Sequence, residues 1–477
     1  MGIFGGLVAV AWLADRARSH QETSVEKELP QAETFDSLLL SDDYSKLKSE
    51  VELLGAQYLA SHQTSLFTIK ADNIKKRILL IDRALEISET DEESTWSLTH
   101  KLKLSLLLES LYAFKDLKPT ENFDNLLKLV ESQRNHPAED VQIEICFANM
   151  MLPILESQRD EAIEFDRKKV LADIENLIAL DPDNLTLARR ISGMSYFFSS
   201  KDDRKHYIAC LKILEDKYTD SSVASLREIA DNHRRMRILA THRLPELETL
   251  DKSSDRDQKL LEGILAIVEN ERLDALLVQR LLQSCSIIEN RRAYALAIEG
   301  YSSIEEKLKS EQNQKTASLA KLANDGVLRC EAVGKKLPLE FTDQTGQQYE
   351  PSDFDGHPVF IAILDDQGQS NAETIELLKK LNGYRTGEGL YLILLIKNTT
   401  GNNTRHFADL VDGKMIVVGQ PISESKIDQA FPTSHTPTYM FLDGEQNLIA
   451  ASQKTNEVIT RVNSLVHKVR KARLQSN

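Results

Sequence analysis

From about Phe35 to Arg329 apolar residues recur at helical spacing with few β-type runs, and beyond Arg329 that period gives way to short aliphatic strands. This switch limits the chain to an all-helical region followed by a mixed α/β region. Leu260, Ile264, Ile267 and Val268 lie on one helical face before Asn270 breaks the pattern. The run from 104 to 114 is so richly apolar that a helix there must be buried nearly all round. Asp181-Pro182-Asp183-Asn184, and an Asp-x-Leu-Leu opening at Asp124, separate successive helical patterns as helix hairpins would. Residues 34–329 are therefore read as an array of helical hairpins, an architecture that presents a face to protein partners.

The second region alternates differently. Residues 359–364, 390–397 and 415–418 are short β-branched or aliphatic runs with helical patterns between them, which predicts parallel strands joined by helices. Residues 439–442 and 447–451 flank Asp443-Gly444-Glu445-Gln446 and read as an antiparallel hairpin. Ile459, Val462, Leu465, Val466 and Val469 then form one apolar stripe for a closing helix. The expected product is a mixed sheet covered by helices.

Several local motifs fall in this region in a fixed order. Gly334-Lys335-Lys336-Leu337-Pro338-Leu339 is followed by Asp343-Gln344-Thr345-Gly346, then Ser352-Asp353-Phe354-Asp355-Gly356-His357-Pro358-Val359, then Thr436-Pro437-Thr438-Tyr439-Met440-Phe441-Leu442-Asp443-Gly444. Together they resemble the opening hairpin, the approach to the central strand and the proline-led strand of the redoxin superfamily, in particular the exported, membrane-anchored TlpA/ResA type of thiol:disulfide oxidoreductase. The resemblance covers roughly 334–469 and implies a thioredoxin-like fold for residues 330–477. In the helical region Leu187, Gly193 and Tyr196 are loosely similar to the first helix of a tetratricopeptide repeat, although the small residue expected near Lys205 is missing.

The resemblance places the redox cysteines of that family at the turn after strand 359–364. There the sequence reads Gln367-Gly368-Gln369-Ser370. A C-x-x-C pair works at such a turn because the helix N-terminus favours the first thiolate and the second thiol resolves the mixed disulfide. Gln367 and Ser370 supply neither sulfur. Ser370-Asn371-Ala372-Glu373 instead has the form of a capping box, worth about 1 kcal/mol. No histidine of this region stands at a spacing that would make Ser370 a nucleophile. The resemblance also implies a cis bond at Thr436–Pro437 that exposes a backbone edge for an extended substrate chain, so these two residues are the expected peptide-binding pair. A proline that only shapes a strand start is the competing reading.

The chain has four cysteines. Cys146, Cys210 and Cys285 sit among apolar residues at helical spacing and read as small buried hydrophobes. Cys330 stands at the junction of the two regions beside Arg329, which would favour a thiolate, and is the one candidate reactive thiol. No spacing suits a zinc or haem site, and no cofactor is expected.

A net charge of −15 opposes binding to nucleic acid or anionic membrane. The Glu89-Thr90-Asp91-Glu92-Glu93 cluster reads as a solvated loop. Residues 3–14 are apolar but too short to span a bilayer; they have the length of a signal h-region without its basic flank, and a polar linker runs to residue 33. Export or membrane attachment is expected from the resemblance, with a cytoplasmic amphipathic start as the alternative. Two functions follow. One is a non-catalytic scaffold in which the array binds proteins and the thioredoxin-like domain docks extended peptides. The other is a thiol:disulfide oxidoreductase working through Cys330 or a partner's thiol.

Overall fold

A computed structural model of the chain describes residues 35–60, 67–114, 121–159, 164–198, 203–249, 255–311, 317–343, 346–365, 376, 391–397, 416–418, 431 and 438–452. These fall into two compact units, one up to Thr241 and one from His242 onward.

In the first unit the helices are α1 (Phe35–Leu39), α2 (Tyr44–Ala60), α3 (Phe67–Ile87), α4 (Asp91–Phe114), α5 (Glu121–Ser132), α6 (Glu139–Arg159), α7 (Arg167–Leu180), α8 (Leu185–Met194), α9 (Arg204–Tyr218) and α10 (Ala224–Thr241). Their starts follow from local chemistry. The Asp166 carboxylate accepts from the Lys168 and Lys169 amides, and Asn184 accepts from Leu187, closing the Asp181–Asn184 break into a helix start. The acidic cluster at 89–93 is a loop only as far as Thr90; Asp91, Glu92 and Glu93 form the first turn of α4. Thr90 Oγ1 accepts from the Glu93 amide at 3.2 Å while Glu93 Oε2 accepts from the Thr90 amide at 3.3 Å, so this capping box begins α4. Likewise α5 starts at Glu121, ahead of Asp124, because the apolar stripe already includes Phe123.

Helix α4 explains why its sequence is apolar on every side. Leu98, Leu102 and Leu106 pack into a core shared with α5 to α10, whereas Leu104 and Leu108 pack into a second core shared with α1 to α3. A helix between two cores needs two apolar faces.

The second unit begins with α11 (Leu244–Thr249), α12 (Arg256–Asn270), α13 (Ala275–Asn290), α14 (Tyr294–Glu311) and α15 (Ala317–Ala332). The strands follow: β1 (Phe341–Thr342) and β2 (Gln348–Tyr349) form a small hairpin, and β3 (Val359–Asp365), β4 (Tyr391–Lys397), β5 (Ile416–Val418), β6 (Thr438–Leu442) and β7 (Leu448–Ser452) form a sheet in the order β5-β4-β3-β6-β7. Strands β3, β4 and β5 are parallel, and β6 and β7 are antiparallel additions. This is the thioredoxin-like mixed sheet expected from the sequence, preceded by the expected all-helical region. The central strand β3 is buried on both faces, as a continuous aliphatic run requires.

Helix α15 runs directly into the sheet. Ala332 and Val333 pack into the sheet core, Gly334 turns at φ +83°, and the following residues lie along β7. The Gly334 amide donates to Leu448 O at 2.8 Å, the Leu448 amide to Lys335 O at 2.9 Å, and the Leu337 amide to Gln446 O at 3.1 Å. The chain thus covers the beginning of its own edge strand. The expected closing helix and the apolar segment 3–14 lie outside the described residues; no described helix is long and apolar enough to cross a membrane.

Candidate functional site

The carboxyl end of β3 and the beginning of β6 are neighbours. Ile363 pairs with Thr438 in antiparallel register, and β3 ends two residues later at Asp365. Gln367 follows Asp365 by two positions, and Pro437 immediately precedes Thr438, so the two strand ends leading into these predicted segments meet at one end of the sheet. Gln367, Ser370, Thr436 and Pro437 themselves lie outside the described residues, as does the Ser370–Glu373 capping box. The flanking strand ends are dry: Ile363, Leu364, Thr438 and Tyr439 are buried, and the Phe360 ring stacks on Tyr439 with centroids 6.0 Å apart. In open α/β sheets ligand crevices form beyond the carboxyl ends of parallel strands, which is the end concerned here.

Cys330 is placed elsewhere, on the buried face of α15, with 3% of its surface exposed. Its neighbour Arg329 does not turn its charge to the sulfur alone. The Arg329 guanidinium donates from Nε to Glu289 Oε1 at 3.3 Å and from Nη2 to Glu289 Oε2 at 3.0 Å, and the Tyr301 hydroxyl donates to the same Oε2 at 2.9 Å. Burial, and secondarily the Glu289 carboxylate, push the Cys330 thiol up; the opposing pull of Arg329 is smaller. Burial likewise pushes up the fully buried Cys285 thiol on α13, with Cys330 and Glu289 adding to it. Two glycines on the neighbouring helices make room for this packing: a Cβ on Gly300 would lie 2.9 Å from Cys285 Sγ, and one on Gly326 would lie 2.7 Å from the Tyr301 ring.

The other cysteines are in the first unit. Cys210 is fully buried, and burial pushes its thiol up to about 12. Cys146 is half-buried, and its thiol is raised by burial and then by Asp173. All four are free thiols.

Sequence reasoning also missed buried polar clusters in the first unit. Glu144 on α6 receives Arg190 from α8 at 2.5 Å and Lys103 from α4 at 3.4 Å, with the Arg190 guanidinium 3.9 Å above the Phe147 ring. Asp203 holds Arg167 Nε at 2.5 Å and His206 Nδ1 at 2.6 Å. His233 on α10 places Nδ1 2.7 Å from Ile229 O and Nε2 3.0 Å from Ser192 Oγ. With Nδ1 carrying the proton for that carbonyl, Ser192 donates to Nε2. The signal for Glu144 was available: Val141, Phe147 and Ala148 stand one helical turn from it on α6, so its carboxylate is a charge inside an apolar stripe.

An open cleft lies at the opposite end of β3, lined by Lys336, Asp355, Gly356, Gly444, Glu445 and Asn447. The Gly356 amide donates to Gly444 O at 2.9 Å, and a Cβ on Gly444 would come within 3.2 Å of the Gly356 carbonyl carbon, so the two turns touch through backbone. Gln446, at φ +67°, donates from Nε2 to Pro351 O at 2.5 Å and Asp355 Oδ1 at 2.7 Å, fixing the β6–β7 turn to the approach of β3. Among the described residues no three His, Cys, Asp or Glu side chains gather as a metal-binding set.

No protein-family model and no curated protein matches the sequence. Among solved structures, the chain is similar to the thioredoxin domain of a thiol-disulfide oxidoreductase from Bacteroides vulgatus, at 12% identity over 28% of this chain and 97% of that one, with a TM-score of 0.24. It is similar to a thiol:disulfide interchange protein from a Bacteroides species at 14% identity, over 28% and 90% of the two chains, with a TM-score of 0.25. A thioredoxin-like protein from Bacteroides caccae matches over 52% of this chain and 90% of its own, at 14% identity and a TM-score of 0.34. The fold stated above rests on strand order and register.

Proposed function

We propose that the chain is a non-catalytic thioredoxin-fold protein that binds other proteins, with the helical array as its main partner surface and the Thr436–Pro437 edge as a dock for extended peptides. The observation that carries this reading is the pair Gln367 and Ser370, which leaves the exchange turn without sulfur. Burial of Cys330 supports it, because a protonated, water-excluded thiol is a poor nucleophile.

The test is reduction of a disulfide-bonded model protein by the full chain, by its Cys330→Ser variant and by a Gln367→Cys/Ser370→Cys variant. The natural chain and the Cys330→Ser variant are expected to match the reductant background, and the double-cysteine variant to exceed it. Turnover by the natural chain that vanishes in Cys330→Ser would overturn the scaffold reading in favour of a thiol:disulfide oxidoreductase working through Cys330.

A further inference from the structure

We draw no further inference here: the strongest candidate, the open cleft at the start of β3 lined by Lys336, Asp355, Gly356, Gly444, Glu445 and Asn447, is bordered by solvated charges of both signs and nothing in the structure shows what would fill it.

Discussion

Arg329 and Glu289 join α15 to α13 through two donor–acceptor contacts of 3.3 and 3.0 Å, and both side chains are about nine-tenths buried. Forty positions apart in sequence, they form a buried polar pair in a helix packing that includes Cys285, Cys330 and Ala323. Removing one member of such a pair strands the other charge out of water. Arg329→Ala is therefore expected to lower the stability of the second unit by about 3–5 kcal/mol. Replacing both residues together, Glu289→Gln with Arg329→Met, should cost less than the single Arg329→Ala change, because no lone charge remains. Urea unfolding monitored by circular dichroism checks both; a single variant as stable as the parent would show that the pair contributes no net stability.

The thiols should differ in reactivity in a way that follows their burial. In native chain at pH 8, half-buried Cys146 is expected to react with a thiol reagent ahead of Cys210, Cys285 and Cys330: burial raises all four thiols, but these three are also shut away from the reagent. All four should react at once in denaturant. Mass spectrometry of partly labelled chain reads the order. Labelling of Cys330 before Cys146 would mean that α15 opens readily and that its thiol is available for exchange.

His233 should make the first unit acid-sensitive. Burial lowers its pKa below the ordinary value of 6.5, against the smaller opposing effects of the Ile229 carbonyl and Glu215. The unfolded chain then binds a proton that the folded one does not, so this residue's contribution is full above the unfolded value and declines as pH falls through 6.5 toward the lower folded value. His233→Gln keeps a hydrogen-bonding side chain without that titration. Its urea midpoint should change less between pH 7.5 and 5 than the parent's; equal slopes would assign the acid sensitivity to other groups.

These residues also mark what could be read from sequence. Periodicity located the helical region and strands β3 to β7 because burial imposes a period on a single stretch of chain. Thr90 and Glu93 carry a capping box that is legible too, although the acidic composition around it points to a loop across the whole of 89–93. Pairings such as Glu144 with Arg190, 46 positions apart, were not legible, because nothing local says which stripe a buried charge will meet. The environment of Cys330 failed for the same reason. Its sequence neighbour Arg329 was visible, but Glu289, which engages that arginine, was not.

The same limit bears on where the thioredoxin-like part begins. The motifs start at Gly334, and the thioredoxin-like part expected from them begins at residue 330. Ala332, the last residue of α15, and Val333 after it contribute to the sheet core, and the Gly334 amide closes on Leu448. Cutting at Gly334 removes two core side chains and puts a charged terminus where the edge of β7 is covered, against a domain margin of only about 5–15 kcal/mol. A fragment spanning 242–477 keeps α15 and the Glu289–Arg329 pair that anchors it. The longer fragment is expected to unfold cooperatively and to protect the Leu448 amide from hydrogen exchange, while the shorter one should show a lower or broadened transition and fast exchange at that amide. Equal stability and equal protection would mean that the sheet is independent of α15.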